Sequence, residues 1–273
     1  MRISTVANTR PYTEAHAIAS LDIAVVLSDK LTTEQQEELH AELAKLLAED
    51  QFASKEATRP GLVAFERKSS DGDIIEELHI HPTFVHVFWN EYRGWTFARE
   101  LALRRLGPVI DRVRAGLLKA DGVGMAFEDI FVNDDPAEFE LIDVLQPNSR
   151  FVPAIAYEDR ASFWKTSFSY VVGGDEEGDH ATYSSLAIEA SQASSREEDG
   201  SDTDADENEV SHSTRILHRQ SLYLNPGNRD AGTEVQWSEK SVRGFLNRLH
   251  DQNKSLMLEL LSEDMINRIG LKE

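Results

Sequence analysis

The sequence predicts an α+β protein with mostly antiparallel sheets and with helices packed on one face. Short segments that alternate apolar and polar residues, separated by turn residues, are typical of antiparallel strands. Longer stretches repeat apolar residues at helical spacing. The order of these elements suggests two similar α/β halves, 1–135 and 136–273. In a chain of 273 residues, 40% hydrophobic composition is sufficient for one or two cores.

Strands and two helices make up the predicted first half. Thr32 and Gln35 have the spacing of a capping box, which starts a helix near residue 33. Gly107-Pro108 predicts a kink or a break in the second helix, because proline clashes with the carbonyl of the preceding turn. The predicted strands are 18–27, 62–68, 74–81, 83–89 and 124–132, and the predicted helices are 33–49 and 95–119.

The predicted second half has three strands followed by two helices. Ser238 and Ser262 are placed to cap these helices, and Gly270 is placed to end the last one. Residues 191–213 are polar and lack periodicity, so they bury too little apolar area to offset the entropy of ordering. We expect a disordered acidic insert there. The predicted strands are 163–172, 183–190 and 215–224.

The negative charge of the chain is concentrated in one segment. The formal net charge is −21, and residues 174–212 hold thirteen acidic residues and one basic residue. An acidic surface repels nucleic acid and anionic membranes, so we do not expect general binding of nucleic acid or attachment to a membrane. It favours a protein partner with a basic surface.

Cysteine is absent, which excludes disulfides, thiolate metal sites and cysteine nucleophiles. The first residues contain no apolar signal segment, and the apolar run 23–27 is far too short to cross a membrane. We therefore expect a cytoplasmic protein without a cofactor. The sequence has no P-loop, no G-x-S-x-G and no complete dinucleotide fingerprint.

Three histidines form a candidate metal site. His79 and His81 share one face of a predicted strand, and His86 follows the turn at Pro82. Three neutral imidazoles can hold zinc or another divalent cation. A polar strand face explains the same residues without a metal.

A second candidate combines Asp50 with Glu66 and Lys68. In metal-dependent nucleases, carboxylates hold Mg²⁺ and a lysine steadies the attacked phosphate. The same residues are also expected of a charged edge strand.

The second predicted helix carries a candidate anion-binding face. At 100° per residue, Arg104, Arg105, Arg112 and Lys119 lie opposite the apolar stripe and form a basic face. Such a face binds an anion, a nucleic-acid backbone or an acidic partner, or it is a solvated helix surface.

Aromatic residues are concentrated where a strand leads into this helix. Trp89, Tyr92 and Trp95 either anchor the helix to the sheet or form an exposed interface.

Three segments carry a resemblance to other proteins: HVFWNEYRGW (86–95), GMAFEDIFVND (124–134) and FLNRLHDQNKSLMLELLSEDMINRIGL (245–271). In these segments the chain resembles a sporadically distributed family of uncharacterised bacterial proteins of about this length. A patchy distribution is typical of genes for bacterial conflict, so the resemblance implies a defence-related role.

The leading hypothesis is a non-enzymatic protein-binding or regulatory subunit, in a bacterial defence or toxin–antitoxin-like system. Its partner is another protein with a basic surface, or a second copy of the chain in a homodimer. The alternative hypothesis is a metal-dependent nuclease or phosphodiesterase that uses Glu66, Lys68 and the histidines.

Overall fold

Ten strands form one antiparallel sheet in the computed structural model. The structure describes residues 9–13, 16–55, 62–133, 140–158, 163–172, 180–194, 210–224 and 237–272. The strands are β1 (Thr9–Pro11), β2 (Ile18–Leu27), β3 (Ala53–Lys55), β4 (Val63–Lys68), β5 (Ile74–Ile80), β6 (Phe84–Trp89), β7 (Ala120–Asn133), β8 (Phe163–Val172), β9 (His180–Ser194) and β10 (Val210–Leu224). Their order across the sheet is β3-β4-β5-β6-β2-β7-β10-β9-β8, and β1 also pairs with β7.

The helices begin where the capping residues predict. Thr32 and Gln35 form the expected capping box, and Ser238 caps its helix through Ser241. The helix is continuous through Gly107-Pro108, so the predicted alternative of a break there is wrong. The helices are α1 (Thr33–Ala48), α2 (Trp95–Arg114), α3 (Ile155–Glu158), α4 (Glu239–Leu260) and α5 (Glu263–Arg268), with a 3-10 turn at Leu141–Asp143.

The second helix is shorter than predicted. It ends at Arg114 rather than at residue 119, because Gly116 adopts a φ of 73° and redirects the chain. Leu117, which lies inside the predicted helix 95–119, is therefore an exposed loop residue.

The two faces of the sheet differ because side chains alternate along each strand. In β2, Leu21, Ile23 and Val25 are buried against the helices, whereas Asp22 and Ala24 point to the opposite face. Adjacent strands continue this division, since Ile23 pairs with both Val87 and Met125. The described helices all pack on the Leu21 side, which confirms the predicted α+β layout.

Two hydrophobic clusters lie between the sheet and the helices, and α4 contributes to both. Its first half packs Leu246 and Leu249 into the cluster under α1 and α2. Its second half packs Met257 and Leu260 into the cluster that α5 completes. The predicted halves, 1–135 and 136–273, thus share one sheet and one long helix.

The predicted acidic insert is shorter than expected. Strand β9 continues to Ser194 and β10 begins at Val210, so residues 191–194 and 210–213 are paired strand residues rather than disordered ones. The prediction ended these strands at their last apolar residues. The β9–β10 backbone pairing continues beyond those residues. Residues 195–209 lie outside the described part of the chain.

Candidate functional site

One candidate binding surface is the face of the sheet opposite the helices, because no described helix packs on it. Residues of β2, β6, β7, β8, β9 and β10 line one groove of about 310 Å³ across its middle. Side chains of six strands thus line one groove. We call it the uncovered face.

Charges of opposite sign are separated along the uncovered face. The β4–β5–β6–β2 end carries the partly exposed carboxylates of Asp22 and Glu77 and the buried carboxylate of Glu66. The β8–β9–β10 end carries basic residues, and there the amine of Lys165 lies 2.9 Å from Glu189. The guanidinium of Arg215 pairs with Glu128 between the two ends. A partner therefore meets an acidic end and a more basic end.

The histidine candidates lie at the acidic end. His79 and His86 are opposite one another in the β5–β6 register, with ring centres 4.8 Å apart. The Nδ1–H group of His86 donates a hydrogen bond to Asp22 at 2.9 Å. His81 instead stacks on Phe84, and its ring centre lies 6.4 Å from that of His86.

These contacts correct the metal prediction for His79, His81 and His86. Within the described residues, no three histidine, cysteine, aspartate or glutamate side chains are arranged to hold a metal ion. Asp22 engages one nitrogen of His86, and stacking on Phe84 holds His81 away from the other two rings.

The nuclease candidates do not converge. Glu66 and Lys68 lie on the uncovered face, where Lys68 Nζ is 4.0 Å from Glu66. Asp50 follows α1 on the helix side of the sheet and pairs with Arg104 at 3.1 Å. Because Asp50 and Glu66 lie on opposite faces of the sheet, they do not form the shared metal site that the nuclease hypothesis requires.

Arg105 is a buried residue rather than a member of a solvated basic face. Only 2% of its surface is exposed. Its Nε–H group donates to Glu76 at 2.9 Å, and its guanidinium also pairs with Asp50 and lies 5.0 Å from the ring centre of Phe52. Glu76 is fully buried and requires a cation, which explains why α2 turns Arg105 inward.

The other predicted basic residues of this region are paired with carboxylates. Arg112 holds two glutamates of α1, and Arg104 shares Asp50 with Arg105. A surface neutralised in this way has little attraction left for an external anion. The pairs are Arg104–Asp50 at 3.1 Å, Arg112–Glu38 at 2.9 Å, Arg112–Glu42 at 2.9 Å and Lys119–Asp29 at 3.9 Å.

The aromatic junction packs inside the chain. Trp89 is buried in the core, and Tyr92 is half-buried. Trp95 stacks on His250 with ring centres 4.4 Å apart, and its Nε1–H group donates to Asn247 at 3.3 Å. The alternative of an exposed interface at Trp89, Tyr92 and Trp95 is therefore wrong, and these rings anchor α2 to the sheet and to α4.

A cavity of about 530 Å³ lies on the helix side of the sheet and was not predicted. It is bounded by β7, α4, the chain after Trp89 and the residues that follow α5. Asp129 of β7 lines it with only 4% of its surface exposed, and its Oδ2 atom has no hydrogen-bond partner among the described residues. A sequence signal existed, because Asp129 has the inward phase of Phe127 and Phe131 in the strand pattern.

Burial shifts the pKa of three ionisable groups that line this cavity. Burial, and then the nearby charge of Glu128, raise the pKa of Asp129 to about 7. Burial, with a smaller effect of Asp129, raises the pKa of Tyr92. Burial also lowers the pKa of His250. Such shifts are expected where polar groups meet in a largely apolar space.

Comparisons with known proteins place few limits on function. No protein-family model and no curated protein matches the chain. A solved structure with some similarity is that of the di-domain ARO/CYC StfQ from the steffimycin biosynthetic pathway, which is 12% identical and matches 80% of this chain and 78% of that one. Its TM-score of 0.19 is too low to support a shared fold or function. In the described part of the chain, no helix has the length and apolarity to span a membrane.

Proposed function

We propose that this chain is a non-enzymatic binding protein that captures a protein with a basic surface on its uncovered face. It acts as a regulatory or antitoxin-like subunit, in keeping with the defence-related role that the family resemblance implies. The observation that carries the proposal is the charged, grooved uncovered face, on which no described helix packs.

The acidic end of the face supports a basic partner. Asp22 of β2 and Glu77 of β5 are partly exposed, and half-buried Phe88 of β6 lies between them. Glu66 of β4, beside Glu77, is buried. Aromatic rings beside charges are common in the centre of protein interfaces. The net charge of −21 further steers a basic partner toward the chain.

His79 does not offset this negative charge at neutral pH. Burial, and then the adjoining His86, lower the pKa of His79, so His79 is neutral at pH 7. Asp22 accepts a hydrogen bond from His86 and remains at the surface of the groove. The acidic end therefore presents the carboxylates of Asp22 and Glu77 to a partner.

A charge-reversal experiment tests this proposal. The double variant Asp22→Arg/Glu77→Arg changes the uncovered face, and the control Glu37→Arg/Glu49→Arg makes the same charge change on exposed positions at and beside α1. Native mass spectrometry of the proteins purified from their own cells measures bound polypeptides. We expect wild type and control to carry one basic protein in fixed stoichiometry, and the uncovered-face variant to lose at least about tenfold of it.

Two outcomes would contradict the proposal. One is a wild-type chain that is alone or only self-associated. The other is a complex that the uncovered-face variant retains in full. The two double variants change the net charge equally. If the α1 control retains the complex and the uncovered-face variant loses it, the effect comes from the uncovered face and not from net charge.

A further inference from the structure

We propose that the cavity between β7 and α4 is a binding site for a small organic cation with an ammonium or amidinium group on an apolar body. This site is separate from the uncovered face, because Asp129 points to the helix side of β7. The cavity volume of about 530 Å³ is within the range of small-molecule sites in proteins, about 300 to 1,000 Å³.

Two buried hydrogen-bond acceptors without donors line this cavity. One is Oδ2 of Asp129. The other is Nδ1 of His16, whose Nε2–H group donates to the carbonyl oxygen of Tyr92 at 2.9 Å. In a neutral imidazole the second nitrogen is then an acceptor. A ligand that satisfies both must bring at least two N–H donors, as an ammonium or amidinium does.

The buried carboxyl group of Asp129, when ionised, also favours a cationic ligand. Among the described residues, no cationic side chain pairs with Asp129, although Arg93 and Lys254 line the same cavity. Arg93 is instead held by Glu91 at 2.8 Å. A buried carboxylate without a partner is costly, so a cationic ligand gains by pairing with it.

The remaining lining accommodates an apolar body. Phe127 and Met257 are buried and supply apolar walls, and Tyr92 and His250 supply ring faces. The stacking of His250 on Trp95 holds its ring in place. Aromatic faces attract cations as well as apolar groups. Exposed Gly270, after α5, lies at the mouth.

Benzylamine is a suitable probe, with benzyl alcohol and benzoate as neutral and anionic analogues of the same shape. Isothermal titration calorimetry at about pH 8, where Asp129 is ionised, measures affinity and stoichiometry. We expect saturable one-to-one binding of benzylamine at millimolar concentration, weaker binding of benzyl alcohol and none of benzoate.

Two variants locate the binding. Asp129→Asn removes the charge and should lose at least about tenfold in affinity, and His16→Leu removes the second acceptor and should lose several-fold. Glu189→Gln, which removes a carboxylate from the uncovered face, is the matched control and should bind as wild type does.

The proposal is overturned if benzylamine does not saturate wild type, or if Asp129→Asn and His16→Leu, shown to be folded by circular dichroism, bind it equally well. Neither result bears on the uncovered face, since the probes and these two substitutions act on the helix side of β7. Conversely, loss of the protein partner leaves the calorimetric test intact.

Discussion

At the scale of single residues, two ionisable side chains inside the core have opposite surroundings. Arg105 is surrounded by the carboxylates of Glu76 and Asp50, with the ring of Phe52 beside it. Asp129 has an apolar cavity on one side and no cation paired with its free oxygen among the described residues. The buried charge of Arg105 is thus paired within the chain, whereas the carboxyl group of Asp129 is available to a ligand.

The pKa of Asp129 makes stability depend on pH. An exposed aspartate has a pKa near 3.8, whereas burial raises that of Asp129 to about 7. The folded protein therefore keeps a proton that the unfolded chain releases, and its free energy of unfolding falls as the pH rises from about 4 to about 7. Above that range the loss is constant.

The variant Asp129→Asn remains neutral and should lack this fall. The free energy of unfolding of the variant minus that of wild type should therefore increase by roughly 3 kcal/mol between about pH 5 and about pH 8. Urea unfolding followed by circular dichroism at both pH values measures the change. A difference between the two proteins that stays constant with pH would show that Asp129 ionises as an exposed residue does.

At the scale of elements, β7 connects the two predicted halves. It pairs with β2 on one side and with β10 on the other, and β1 extends its pairing at the far end. Close approach to β10 requires a glycine at position 122, where a Cβ atom would overlap the backbone carbonyl oxygen of Leu222. Gly124 is different, because a Cβ there would lie 3.6 Å from Ala24 Cβ, an ordinary contact.

These two glycines give a matched pair of variants. Gly122→Ala should lower the free energy of unfolding by about 2 kcal/mol or more, because strand backbone must move to relieve the overlap. Gly124→Ala lies two residues away in the same strand and should change it by less than about 1 kcal/mol. Urea unfolding measures both. Equal effects would mean that β7 and β10 are less closely packed than described.

At the scale of the whole molecule, the sheet and α4 should make the chain unfold as one unit. Both hydrophobic clusters receive side chains from α4, so neither half buries its own core. We expect one calorimetric transition whose measured enthalpy equals its van't Hoff enthalpy. A fragment of residues 1–135 should lack cooperative unfolding. Two separate transitions would instead favour the predicted division into independent halves.

Local patterns in the sequence determined most of the secondary structure. Strands 18–27 and 163–172 were predicted with the observed ends, and Ser238 and Ser262 cap helices as expected. These features depend on residues that are neighbours in the chain, through alternation, helical spacing and capping hydrogen bonds. The helix-covered antiparallel sheet follows from the same patterns.

Only the tertiary structure decided which distant residues meet. The pairing of β2 with β7, the inward turn of Arg105 toward Glu76, the separation of Asp50 from Glu66, and the cavity around Asp129 were all unpredicted. Each depends on contacts between residues far apart in sequence, where burial and pairing free energies outweigh local preference. Helical spacing placed Arg105 in solvent, and a buried carboxylate 29 residues earlier in the chain placed it in the core.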